Sequence, residues 1–127
     1  MAFNILVVDD SLPMRKVIKK NIKASGFPEA NIDEASDGSE ALKILNKKGI
    51  HLMMTGYNMP NMNGLELIAG MKEDEALSSI PVLVITAEGS HARFNQFMER
   101  GASGYIKKPF TPEIIRGKIR EILGGEL

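Results

Sequence analysis

Two adjacent carboxylates, Asp9 and Asp10, follow directly on the apolar run F-N-I-L-V-V at residues 3–8. Unit charges ~4 Å apart repel by about 4 kcal/mol at an effective dielectric near 20. A divalent cation, a lysine or a proton must offset that repulsion, and hard oxygen donors at a loop suit magnesium. Thr86 closes the run P-V-L-V-I-T and brings a hydroxyl that can meet a phosphoryl oxygen or a backbone group. Lys108 follows a short run at 105–107 and can reach an acidic pair or a bound anion. A further run, I-H-L-M-M-T at 50–55, ends on Gly56, which brings no side chain. Singly, each residue has a plain reading: Asp-Asp caps helices, Lys-Pro makes turns, and threonine commonly ends strands. Their shared position at the ends of apolar runs is what points to chemistry.

The segments around them form an alternating series. The runs at 3–8, 50–55 and 81–86 are short and apolar, the first of them reading as a strand buried on both faces, while 32–36 reads as a weaker strand and 105–107 as a brief one. Between them lie helical spacings. Ser11 caps the first helix, Pro13 sits in its first turn, and Met14, Val17, Ile18 and Ile22 recur until Gly26. Asp37-Gly38 makes a turn and a second helix starts at Ser39, ending near Gly49. The stretch 56–64, G-Y-N-M-P-N-M-N-G, is dense in turn formers and predicts a loop before a third helix at 65–71. A fourth helix at 91–100 carries Phe94, Phe97 and Met98, and a last one carries Ile114, Ile115, Ile119, Ile122 and Leu123 up to Gly124-Gly125. Five strands alternating with five helices predict one α/β domain over 1–127, a doubly wound parallel sheet with helices on both faces. In such a sheet, ligands sit outside the carboxyl ends of the strands, where Asp9, Asp10, Gly56, Thr86 and Lys108 all fall.

The bulk numbers exclude several classes. The chain has 127 residues, 43% hydrophobic and 25% charged, an ordinary globular composition. Sixteen basic residues balance sixteen acidic ones, so there is no long-range field to gather nucleic acid or anionic lipid. With no cysteine there is no disulfide, thiolate nucleophile or cysteine metal site, and a reducing cytoplasm fits. The start of the chain does not read as a signal peptide, and no apolar run is long enough to span a bilayer. No effector domain is expected after the last helix.

The motifs V-V-D-D-S-x-x-x-R, N-M-P-x-M-x-G, V-I-T-A and G-Y-x-x-K-P-F occur in order along the whole chain. Together they resemble the CheY-like receiver domains of two-component response regulators, which have the flavodoxin-like (βα)5 fold. The resemblance implies a domain whose aspartate, at the end of the third strand, takes a phosphoryl group from a histidine kinase with the help of magnesium. It implies that Asp9 and Asp10 help hold the metal, with the backbone carbonyl of Asn58. Thr86 would be the switch hydroxyl, Lys108 the phosphate-binding lysine and Tyr105 the switch aromatic, with a cis bond before Pro109. The implied partners are a sensor histidine kinase, a phosphotransferase or an output protein, met through the face around Tyr105 and the last helix. Neither nucleic acid nor membrane is an expected partner.

The departure is at Thr55-Gly56-Tyr57. The family pattern puts its phosphoacceptor aspartate where this chain has Gly56. Glycine can form no acyl phosphate and offers no carboxylate to a metal. The expected consequences are no catalytic residue at this position, weakened magnesium binding, and Lys108 turned toward Asp9 or Asp10. Gly56 is either native, in a receiver that signals by binding, or a substitution in an otherwise phosphorylatable protein. Thr55 is disfavoured as a replacement acceptor because adjacent strand residues point to opposite faces. A flavodoxin-like small-ligand or cofactor-binding domain is the alternative, but two carboxylates after the first strand would repel a phosphate. An enzyme reading finds no Ser/His/Asp arrangement, and His51 and His91 are far apart in the chain. Of the methionines, Met53, Met54 and Met98 are expected in the core, and Met59 and Met62 at a contact surface. His51 is expected on the surface at a strand start, Asp74 and Glu75 as solvated loop charges, and the basic first helix as a solvated face.

Overall fold

The computed structural model describes residues 3–87 and 89–124. The chain runs β1 (Asn4–Val8), α1 (Leu12–Ala24), β2 (Asn31–Ala35), α2 (Gly38–Lys47), β3 (Leu52–Thr55), α3 (Gly64–Lys72), β4 (Val82–Thr86), α4 (His91–Glu99), β5 (Gly104–Lys107) and α5 (Pro112–Leu123). The strands form one parallel sheet in the order β2-β1-β3-β4-β5. This is the alternating α/β architecture that the sequence predicts, with element ends shifted by one or two residues. Gly125, expected to help end the last helix, lies outside the described residues.

Alternation along each strand makes two cores. Leu6, Val8, Met53, Val82 and Val84 face one way and meet Ala41 and Leu45 of α2, Leu67, Ile68 and Met71 of α3, and Phe97 of α4. Ile5, Val7, Leu52, Met54, Leu83 and Ile85 face the other way and meet Ile18 and Ile22 of α1 and Ile115, Ile119 and Leu123 of α5. A helix that buries one stripe leaves its other apolar residues outside. Val17 and Ile114 are thus exposed despite their helical spacing. So is Met98, at 38%, which corrects its expected place in the core: α4 buries only Phe97.

Every helix starts on a side chain that accepts a first-turn N–H. These caps are Ser11, Asp37, Asn63, Ser90 and Thr111. Asp37 therefore caps α2, which begins at Gly38 rather than Ser39. Asn63 and Glu66 complete a reciprocal capping box at the head of α3. His51 is half-buried rather than a surface residue: its Nδ1 accepts from Asn4 N–H at 3.0 Å, and its ring stands edge-on to Phe3. Asp74 is not a plain solvated charge either, because its Oδ1 accepts from Ala76 N–H at 2.8 Å and shapes the turn after α3.

Candidate functional site

The sheet register sets the site. Val8 of β1 pairs with Thr55 of β3, and Thr55 pairs with Val84 of β4. Asp9 and Gly56 are thus neighbours, each one residue past the same paired row. Gly56 N–H donates to the Val8 carbonyl at 2.9 Å, and Lys108 N–H donates to the Thr86 carbonyl at 2.8 Å, which ties the far strand ends together. The result is an open depression of about 510 Å³ lined by Asp9, Asp10, Gly56, Asn58, Thr86 and Lys108. Tyr105 does not line it. Tyr105 borders a second depression of about 290 Å³ with Ser90, His91, Phe94 and Lys107.

Asp9 is buried while Asp10 is exposed, although they are adjacent. Asp9 Oδ1 accepts from Ser11 N–H at 2.9 Å. Its Oδ2 lies 3.7 Å from Lys108 Nζ. The main chain of Asp9 is also held: Arg15 Nη1 donates to its carbonyl at 2.7 Å, and Arg15 Nε pairs with Glu34 at 3.1 Å. A backbone donor and a lysine thus meet the Asp9 carboxylate, and an arginine braces its main chain, so the buried side chain is held in one place. The motif V-V-D-D-S-x-x-x-R contains Arg15, but its partner Glu34 is nineteen residues away, on the neighbouring strand, and spacing along the chain could not have found it.

Gly56 is not one of the glycines at positive φ, so its backbone accepts any residue. A Cβ added there would lie 2.9 Å from Asp9 Oδ2. The Asp9 carboxylate therefore leans over the very position where a side chain at 56 would emerge. Gly64 is different. A Cβ at Gly64 would strike the carbonyl oxygen of Gly56, and Gly64 N–H donates to the Tyr57 carbonyl at 2.9 Å. The loop after β3 closes only with glycine at 64. Its far end is tied to α2, where Asn61 donates to Asp37 at 2.9 Å and Gly38 N–H donates to the Met62 carbonyl.

Hard oxygen donors suit magnesium, and Asp9 and Asp10 present them in one pocket, so the donor set fits this cation in kind. Among the described residues no group of three or more His, Cys, Asp or Glu side chains converges. Among those residues, too, no helix is long and apolar enough to cross a membrane. Sequence reasoning passed over Tyr57, which lines the pocket beside Gly56, and Arg93, whose guanidinium lies over the Tyr57 ring at 4.1 Å. The bond between Lys108 and Pro109 is cis, as the resemblance implies.

Comparison with known proteins agrees with this geometry. The family described as "Response regulator receiver domain" matches residues 5–120. Chemotaxis protein CheY of Pseudomonas aeruginosa is 38% identical over 118 residues, covering 93% of this chain and 94% of that protein. A CheY homologue of Campylobacter jejuni is 36% identical over 121 residues, covering 94% and 92%. Among solved structures, chemotaxis protein CheY4 of Vibrio cholerae superposes with a TM-score of 0.87 at 28% identity, covering 97% of this chain and all of that one. The signal receiver domain of a signal transduction histidine kinase from Syntrophus aciditrophicus gives 0.85 at 26% identity, covering 98% and 92%. These likenesses favour a signalling domain over a flavodoxin-like ligand carrier. With its five-stranded parallel sheet, its acidic pair and its lysine after β5, the chain belongs to the response regulator receiver domain family, a CheY-like domain of two-component signalling.

Proposed function

We propose that this chain, a single receiver domain over 1–127 working in the cytoplasm, takes no phosphoryl group at position 56 and signals by protein contact. The observation that carries the reading is the position of Asp9. Its Oδ2 stands 2.9 Å from where a Cβ of residue 56 would lie and 3.7 Å from Lys108 Nζ. The lysine that would meet an acceptor carboxylate or its phosphoryl group is paired with the remaining buried acid instead. Without a phosphoryl ligand that binds two states differently, no such ligand shifts the domain between them. The partner is a sensor histidine kinase, a phosphotransferase or an output protein, and the contact face is the one around Tyr105 and α5.

The pocket's roles follow from the donors it contains. Asp9, Asp10 and the Asn58 carbonyl would hold magnesium, whose charge would offset the acidic pair. One carboxylate fewer weakens that binding, because hard-cation affinity follows ligand charge. Thr86 supplies the switch hydroxyl, Lys108 the cation and Tyr105 the aromatic of the contact face. No residue is catalytic, so the family's own phosphorylation chemistry is lost. The test is intact-mass analysis after incubation with acetyl phosphate and magnesium. The chain should gain no phosphoryl group; an acid-labile acyl phosphate on it would overturn the reading.

A further inference from the structure

A row of four aromatic rings connects the pocket to the second depression. Tyr57 begins it beside Gly56, with its ring perpendicular to that of Phe97 and centroids 5.5 Å apart. Phe97 is fully buried and leads to Tyr105, 6.0 Å away and tilted by 53°. Tyr105 then meets Phe94 edge-on at 5.5 Å. Phe94 and Tyr105 both line the second depression. The Tyr57 ring has another neighbour, because the Arg93 guanidinium lies 4.1 Å from its centroid. Arg93 and Phe97 are four residues apart and so share one face of α4. Two successive turns of the helix thus grip one ring of the loop after β3.

The attachment matters because α4 has little else to hold it. Phe97 is its single buried residue, whereas α3, also nine residues long, buries four. A helix with few buried contacts is set in place by those few. We propose that Tyr57 is the positioning residue of α4: clasped between Arg93 and Phe97, it fixes where α4 lies on the sheet and so sets the shape of the depression around Tyr105. The clasp also joins that depression to the pocket, since Tyr57 is the next residue after Gly56. This inference rests on reading the face around Tyr105 as the contact surface, and it names the residue on which that surface depends.

Hydrogen–deuterium exchange on the full chain tests it. Arg93→Gln should make the amides of α4 exchange several-fold faster, the effect expected for losing one cation–π contact, and Tyr57→Leu, which loses the edge-on contact with Phe97 as well, about tenfold faster or more. Exchange in α1 and α5 should not change. Tyr57→Trp should keep α4 protected, and Arg93→Lys should fall closer to the parent chain than Arg93→Gln. A second readout is spectroscopic. The chain has two tyrosines, Tyr57 and Tyr105, and no tryptophan, so tyrosine circular dichroism near 280 nm reports on this row alone. Arg93→Gln should alter that band although arginine does not absorb there. Should Tyr57→Leu fail to fold, Arg93→Gln at the half-buried rim decides the matter. Unchanged exchange in α4, faster exchange spread evenly over every helix, or an unchanged tyrosine band in Arg93→Gln would overturn the proposal. None of these readouts needs phosphate, so the clasp can fail while the phosphodonor result stands, and the reverse.

Discussion

A magnesium ion held by the acidic pair would compete with Lys108 for the same carboxylate. With Lys108 Nζ 3.7 Å from Asp9 Oδ2, a metal can use Asp9 fully only after the lysine gives way. Lys108→Met should therefore raise magnesium affinity several-fold over the parent chain, measured by calorimetric titration, because the acidic pair then loses the cation that faces its Asp9 carboxylate. An affinity that stays level or falls would show that the lysine does not compete. Gly64 makes a different kind of demand. Gly64→Ala should destabilise the chain by about 1–3 kcal/mol in urea unfolding, because its methyl group meets the Gly56 carbonyl rather than a flexible side chain. At this scale the pocket was legible in the sequence wherever residue type and strand end coincide, as for Asp9, Asp10, Thr86 and Lys108. Tyr57 and Arg93 were not legible. Their meeting depends on how α4 is placed over the loop after β3, which no local spacing encodes.

Helix starts carry the next set of consequences. Asn63→Ala removes the side-chain acceptor for the Glu66 N–H, one half of the capping box on α3, and should cost about 1 kcal/mol in the same unfolding measurement. Asp37 caps α2 and also holds Asn61. Its carboxyl is kept below its ordinary value of 3.8, chiefly by the Glu40 N–H and then by the Asn61 side chain. The folded state therefore prefers the ionised form. The stability this adds is complete above the ordinary value and is lost as pH falls through the lowered one. Asp37→Asn should flatten the decline of the urea midpoint as pH falls below the ordinary value of 3.8; an identical decline in both proteins would remove Asp37 from the account. Ser11 was readable as a cap because a cap acts within three residues, whereas Asp37, followed by glycine, read as a turn residue. The buried face of α4 is not readable in this way, since Phe94, Phe97 and Met98 all fit a helical spacing. Only packing on the sheet selects Phe97 and leaves the other two outside.

The two cores share one sheet, so the molecule should unfold as a unit. Phe97→Ala in one core should lower stability by about 3–5 kcal/mol and Ile18→Val in the other by about 0.5–1.5 kcal/mol, each with a single transition by circular dichroism. Two separate transitions would mean that the faces are not coupled. The whole architecture was legible because apolar strands alternating with capped helices admit few arrangements. What the fold does not supply is a reactive group at 56. The backbone there accepts any residue, and the one atom in the way, Asp9 Oδ2, is the end of a side chain that can move. On the function proposed above, the pocket is a receiver pocket short of one carboxylate. The most direct test is to make Gly56→Asp, incubate it with acetyl phosphate and magnesium, and follow phosphate incorporation by intact mass. A single acid-labile phosphate that requires both magnesium and Lys108 is the predicted result. A folded Gly56→Asp protein that takes up no phosphate would contradict it.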